Sequence, residues 1–367
     1  MADSTRALIL FNPNAGQATS LRPQLEAAAQ LWRDADWQVE LRPTRCAGDA
    51  TVQAKAAAAE DYDLVAAAGG DGTVNEVVNG LVGTQTALAV LPCGTVNIWA
   101  REMGLSMDIQ AAAMAFLSAE RRQLDLGVCY PCKNKCKNKC KNKRSRKNKD
   151  SDKDSRKDSD KGDKAEKHHS QRPERRYFLL MASAGFDAAV TAEVNLGEKQ
   201  RFGAIAYLKS ALDLSWNYQG TKTKIFIDGK RIRGRVLMLV IGNSQLYGGV
   251  VKFTAHALVD DGLLDVCVIK GRSLLTAPFR LFSVFARFYN VDSQVRYFRA
   301  KRVEIRGKKK KKRLPVQVDG DYLGQTPMSF EAVPAELWAL VPPDCDPTLW
   351  GEVNPLDQRE KALQTAS

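Results

Sequence analysis

A chain of 367 residues, 44% of them hydrophobic, is long enough to bury a substantial core and favours two domains or one domain with large additions. No apolar run approaches the roughly 20 residues needed to span a bilayer, and no secretory leader pattern is present, so a cytoplasmic protein is expected. The net charge of +13 is concentrated: residues 133–176 hold 19 Lys or Arg against 8 Asp or Glu, a net +11, so the body is nearly neutral and a nucleic-acid partner is not expected.

Residues 7–11 read as a strand, followed by a turn and a helix around residues 25–33. Residues 64–68 give a second strand leading into a helix over 73–81. A third, over 87–91, breaks at Pro92 and enters a helix carrying Trp99 and Arg101. This alternation predicts a parallel sheet with crossover helices, an α/β Rossmann-like domain over residues 1–126. The segment 131–175 has almost no apolar side chains, cannot offset its ordering entropy, and is expected to be disordered. Strand-like text on either side, Leu124-Asp125-Leu126-Gly127-Val128 and Tyr177-Phe178-Leu179-Leu180-Met181, makes it an insertion into a hairpin connection. Of eight cysteines, Cys129 and Cys132 have zinc-like spacing. Cys132, Cys136 and Cys140, however, sit in repeating Lys-Asn-Lys-Cys text with no second separated pair, which favours a solvated repeat.

Beyond the insertion the text turns to strands. Ile225-Phe226-Ile227, Asp228-Gly229 and residues 231–235 make a hairpin, and 236–241, 263–269, 303–306, 315–319 and 337–341 add further strands. One helix, rich in Leu and Phe, is expected over 274–289. A mainly antiparallel β-sandwich domain over 127–345 follows, with a tail at 346–367.

The run Ala66-Ala67-Ala68-Gly69-Gly70-Asp71-Gly72-Thr73-Val74-Asn75-Glu76 carries the most chemistry. Its glycines let backbone amides approach a ligand, and the helix that follows adds its positive end, a combination suited to polyphosphate. Thr73 and Glu76 have capping-box spacing. A carboxylate at Asp71 is not itself attracted to phosphate, so a bridging magnesium ion is its obvious partner. A tight turn with nothing bound is the alternative for Gly-Asp-Gly alone. Neither Gly-x4-Gly-Lys-Ser/Thr nor Gly-x-Gly-x-x-Gly occurs.

With the glycine loop and its helix from Gly69 to Asn79, six other segments resemble the diacylglycerol kinase catalytic-domain family, which includes bacterial lipid kinases and sphingoid-base kinases. They are Phe11-Asn12-Pro13-Asn14-Ala15-Gly16, Thr44 with Ala47-Gly48-Asp49-Ala50, Pro92-Cys93-Gly94-Thr95-Val96-Asn97, Ala184-Gly185-Phe186-Asp187, Asp260-Asp261-Gly262-Leu263-Leu264-Asp265 and Val318-Asp319-Gly320-Asp321. NAD kinases and phosphofructokinases use similar glycine loops, so the ordered set carries the resemblance.

The resemblance implies an ATP site between the two domains, contacted by Asn12, Gly16, Thr44, Gly69, Gly70, Gly72, Thr73, Asn75 and Thr95. It implies Asp319 as the base that takes the acceptor proton, with Asp71 and Asp321 assisting, and a magnesium site formed by Asp261 and the carbonyls of Leu258 and Leu263. Asp321 stands where many relatives carry Glu, and Ile98 where relatives often carry Asp. The implied acceptor is a hydroxyl of diacylglycerol or a related lipid or sphingoid base at a peripheral membrane surface, and the reading leaves room for a homodimer. The Leu/Phe-rich segment 274–289 and the basic run 308–313 would help docking. Rival readings are an NAD-kinase-like enzyme with a soluble substrate, a non-catalytic nucleotide or lipid binding protein, and nucleic-acid binding through the insertion.

Overall fold

The computed structural model describes residues 4–13, 18–132, 175–193, 218–248, 252–273, 294–307 and 313–351. Gly16, nearly all of the insertion, the helix expected at 274–289 and the basic run up to residue 312 lie outside the described residues.

The first half comprises β1 (Arg6–Phe11), α1 (Ala18–Asp34), β2 (Gln38–Pro43), α2 (Asp49–Ala59), β3 (Leu64–Gly69), α3 (Asp71–Leu81), β4 (Ala87–Pro92), α4 (Ile98–Glu102) and α5 (Ile109–Phe116). Its strands lie parallel in the order β2-β1-β3-β4. β3 and β4 are continuous apolar runs and are buried throughout, as strands covered on both faces must be. α3 carries Val74, Val77, Val78 and Leu81 at i, i+3, i+4 and i+7 and buries that stripe. It approaches α2 so closely that a Cβ on Gly80 would lie 2.6 Å from the carbonyl oxygen of Thr51. β2 escapes the sequence reading because it is a half-exposed edge strand carrying Gln38, Glu40 and Arg42, without the apolar density of its neighbours.

The second half comprises β5 (Glu120–Pro131), β6 (Arg176–Phe178), β7 (Met181–Gly185), α6 (Phe186–Glu193), β8 (Lys224–Ile227), β9 (Lys230–Ile232), β10 (Val236–Gly242), β11 (Leu264–Lys270), β12 (Val295–Ala300), β13 (Arg302–Arg306), β14 (Pro315–Val318), β15 (Asp321–Gln325) and β16 (Met328–Val341). A sheet ordered β12-β11-β10-β7-β14-β15 packs on a second containing β5, β6, β16, β13, β8 and β9. Between them lies an apolar core that includes Ala182, Leu239, Ile241, Val266, Val303, Ile305 and Phe330. The expected α/β half and antiparallel sandwich are both present. Antiparallel pairing of Gly127 with Phe178 and Cys129 with Arg176 makes β5 and β6 a hairpin across the insertion, as the flanking text implied.

The long strand β16 joins the halves. Residues 328–333 pair with 126–131 of β5, residues 337–341 pair with 120–124, and Ala339 lies parallel to Leu88 of β4. The parallel sheet therefore continues into the sandwich, and β5 runs unbroken across residues 126 and 127, where a domain boundary was expected.

Candidate active site

Parallel register brings the carboxyl ends of four strands to one rim: Phe11 lies opposite Pro43 and Ala68, and Gly69 lies opposite Pro92. Ligands of open α/β sheets collect on such rims. The main chain laces it together, with Asn12 N–H donating to Ala68 O (3.2 Å), Thr44 N–H to Phe11 O (2.8 Å) and Cys93 N–H to Gly69 O (3.2 Å). Thr44, which the sequence alone does not place after a strand, follows β2 onto the same rim. A Cβ on Gly94 would stand 2.4 Å from the Cα of Gly70, so the loops after β3 and β4 touch backbone to backbone. Gly72 and Thr95 are exposed. α3 begins at Asp71 with Gly70 as its N-cap and no side-chain cap, so the amides of its first turn are not capped by a side chain. Glycines that leave room for a ligand and an uncapped helix end fit a phosphate chain.

The capping box expected of Thr73 and Glu76 does not form. Glu76 instead accepts from Gly48 N–H (2.8 Å) and Ala50 N–H (3.2 Å), capping α2, whose own N-cap is a glycine without a side chain to do so. Asp71 also has a protein partner: its Oδ1 accepts from Ile98 N–H at 2.7 Å, at the start of α4. Asn97, the N-cap of α4, uses its amide on Gly94, accepting from its N–H and donating to its carbonyl, both at 2.9 Å. Position 98 thus serves Asp71 through its main chain, and the Ile98 side chain packs against the core. Burial pushes the Asp71 carboxyl upward against the hydrogen bonds it accepts.

Asp319 occupies the turn between β14 and β15 with φ 45°, followed by Gly320 at 82°. Its side chain is buried beneath α3. Oδ2 accepts from Asn75 Nδ2 (2.7 Å) and Leu179 N–H (3.0 Å), and Oδ1 from Leu180 N–H (3.2 Å) and Met181 N–H (2.8 Å). Desolvation raises this carboxyl to about 6, opposed by those donors. Asn75 lies one helical turn beyond Asp71, so the acid of the second half sits within a turn of the glycine loop. The Asn75 side chain, read from sequence as a nucleotide contact, is turned to Asp319 and is only 2% exposed. Asp321 is half-exposed and pairs with Arg176 at 3.5 Å.

At the turn after Leu258, Asp261 Oδ1 accepts from Leu263 N–H at 2.9 Å, while Oδ2 pairs with Arg299. A guanidinium already balances that carboxylate. Among the described residues no group of three or more His, Cys, Asp or Glu is placed to hold a metal; the expected magnesium site of Asp261 with the carbonyls of Leu258 and Leu263 is of a different kind, one carboxylate with main-chain oxygens.

Other polar residues complete the junction, and of these Glu102 and Gln317 were not singled out in the sequence. Glu102, fully buried at the end of α4, accepts from the N–H groups of Gln245 and Leu246, and burial lifts it to about 7. Gln317 accepts from Gly320 N–H (2.8 Å) and donates to Asp187 (3.0 Å), bracing the Asp319 turn. Asn79 binds both main-chain groups of Tyr177. Asn79 closes the run whose resemblance to the family the sequence showed, four residues after Asn75 on one helix face. Glu102 meets Gln245, and Gln317 meets Asp187, across more than 100 residues of chain, which no local pattern reveals.

Comparison with known proteins agrees with this geometry. Residues 6–129 match the diacylglycerol kinase catalytic domain and residues 181–341 the YegS C-terminal NAD kinase beta sandwich-like domain. A Pseudomonas putida protein named "Probable lipid kinase YegS-like" is 30% identical over 325 residues, covering 88% of this chain and 92% of its own length. The diacylglycerol kinase of Bacillus subtilis is 27% identical over 342 residues, covering 92% of this chain and 96% of its own. A crystal structure of a diacylglycerol kinase from Bacillus anthracis shares the fold with a TM-score of 0.60 at 20% identity, over 94% of this chain and all of that one. With both domains in the family's order and relatives matched along most of its length, the chain belongs to the diacylglycerol kinase family and is a kinase.

Proposed function

We propose that the chain is a lipid kinase that uses magnesium-bound ATP and transfers the γ-phosphoryl group to a hydroxyl of diacylglycerol or a related lipid or sphingoid base. The observation that carries this reading is the hydrogen bond from Asn75 to Asp319, which sets a buried carboxylate one helical turn from an uncapped, glycine-rich helix end. The amides of residues 70–72 would receive the phosphates, with the exposed Thr95 and the rim residues Asn12 and Thr44 around them. Magnesium bound to the nucleotide would supply neutralisation of phosphate charge. Asp319 takes the proton as the hydroxyl oxygen bonds to phosphorus and the bond to ADP breaks. A carboxyl raised to about 6 is ionised at neutral pH, yet is a better proton acceptor than an unperturbed aspartate.

Membrane lipid as acceptor is supported by the names of the relatives, and no helix among the described residues is long and apolar enough to cross a membrane. The enzyme would therefore meet its substrate from the bilayer surface. The test is incubation of purified protein with labelled ATP, magnesium and mixed-lipid vesicles, followed by identification of the labelled product. A phosphorylated lipid is expected, and label only in a soluble acceptor would reject the reading. Asp319→Asn should lower turnover roughly 10²–10⁴-fold with ATP affinity nearly intact.

A further inference from the structure

Helix α4 is only five residues long, and each of its ends is bonded to a different half of the chain. At its start, Ile98 N–H donates to Asp71 Oδ1 (2.7 Å), the Asn97 amide is bonded both ways to Gly94, and Arg101 reaches back to donate to Val96 O (2.7 Å). The helix is thereby tied to the loops that follow β3 and β4 on the rim. At its end, Glu102 Oε1 accepts from the N–H groups of Gln245 (2.8 Å) and Leu246, just beyond β10 in the second half. Between these ends Trp99 and Ala100 are buried in the core, which leaves the helix little room to turn.

The segment that Glu102 grips reaches several others. Asn243 and Ser244 N–H both donate to Leu180 O (2.9 and 3.1 Å), and Asn243 Nδ2 donates to Leu179 O (2.9 Å) and Asp125 O (3.0 Å). The Gln245 side chain donates to Ala257 O (3.1 Å) and Thr348 O (2.9 Å) and accepts from Lys252 Nζ (2.8 Å). A carboxyl with 4% exposure is costly to bury, and an aliphatic side chain would serve packing alone. What the carboxyl adds is a directed acceptor for two main-chain donors of the other half, a contact that fixes position and not merely proximity.

We propose that α4 is a strut and that Glu102 is a positioning residue, which sets residues 243–246 of the second half at a fixed place relative to the loops of the rim. The inference rests on the reading that the nucleotide binds at the rim and the second half presents the acceptor lipid. It holds whichever carboxylate takes the acceptor proton.

The test compares Glu102→Gln, which keeps an accepting oxygen, with Glu102→Leu, which keeps bulk and removes it. Labelled ATP and mixed-lipid vesicles containing diacylglycerol give kcat and KM for the lipid. ATP affinity is measured directly, and amide exchange is followed with and without magnesium–ATP. We expect Glu102→Leu to lower kcat/KM for the lipid about tenfold with ATP affinity within about twofold of wild type, and Glu102→Gln to restore kcat/KM to within about twofold. Magnesium–ATP should slow exchange at residues 243–248 in wild type and in Glu102→Gln, and not in Glu102→Leu. ATP affinity falling as far as kcat/KM would place the effect in the nucleotide half, and a lowered Tm with unchanged kcat/KM would leave Glu102 a stabilising contact. Either result overturns the inference, as does a Gln variant as impaired as the Leu variant or an exchange pattern in wild type that ATP does not alter. Should Glu102→Leu fail to fold, Glu102→Asp, which withdraws the carboxyl by one methylene, carries the same expectation. If wild type labels no lipid, the lipid-kinase reading fails while the exchange measurement still decides the strut; if wild type labels lipid and every variant matches it, only the strut fails.

Discussion

Asp228-Gly229 and Asp319-Gly320 are the same dipeptide in the same left-handed turn, with φ of 44° and 77° in one and 45° and 82° in the other. Their side chains differ in surroundings. Asp228 is exposed and accepts from the N–H groups of Lys301 and Arg302, whereas Asp319 is enclosed by α3 and the 179–181 segment. Burial also sets the behaviour of Glu102. Its carboxyl rises from 4.5 to about 7, so the folded state binds a proton more tightly than the unfolded one. The stabilisation is complete below pH 4.5 and is lost as pH rises through 7. Glu102→Gln keeps an accepting oxygen and removes the ionisation, so its stability should gain on wild type between pH 5 and pH 8, by an amount on the order of 3 kcal/mol at most, with Tm rising accordingly. Parallel thermal melts across that range, with a constant difference as the contrary outcome, check this. At Gly94, alanine would force its Cβ against the backbone of Gly70. Gly94→Ala should cost ~1–3 kcal/mol and weaken ATP binding, read by denaturation and calorimetry.

Helices and strands of the first half were legible where burial is one-sided or complete. The buried runs of β3 and β4 and the apolar stripe of α3 announce themselves, while β2, half-exposed at the sheet edge, does not. Helix ends were less legible, because a cap can come from another element. Thr73 and Glu76 have the spacing of a local box, but α2 packs beside α3 and takes the Glu76 carboxylate for its own first turn. Glu76→Ala should therefore weaken α2, at a cost of ~1 kcal/mol and a fall of about 2–4 °C in Tm, with α3 still formed. Equal loss of amide-exchange protection in both helices would contradict that assignment.

On the scale of the molecule, β16 and β5 tie the halves together. Each pairs along both its ends, and the larger apolar core takes in residues from α1, β3 and β4 as well as Leu180, Met238, Val240 and Trp350. Removing the second half would leave β4 without its β16 neighbour and much of this core open to water. The whole chain should unfold in one cooperative transition by calorimetry, and a fragment ending at residue 131 should not show a native melt. Two separate transitions would mean that the shared sheet contributes little to coupling.

The linear order of apolar runs, glycines and acids determined the α/β half, the β-rich half, the phosphate-suited loop and the family, because periodicity and local turn chemistry are properties of neighbouring residues. Tertiary structure alone decided which Asp-Gly turn is enclosed, where the carboxylates of Asp71 and Glu76 go, and that Arg299 pairs with Asp261. Those outcomes depend on desolvation and on hydrogen bonds between residues as many as 244 positions apart, and such pairings exist only once the two halves have packed.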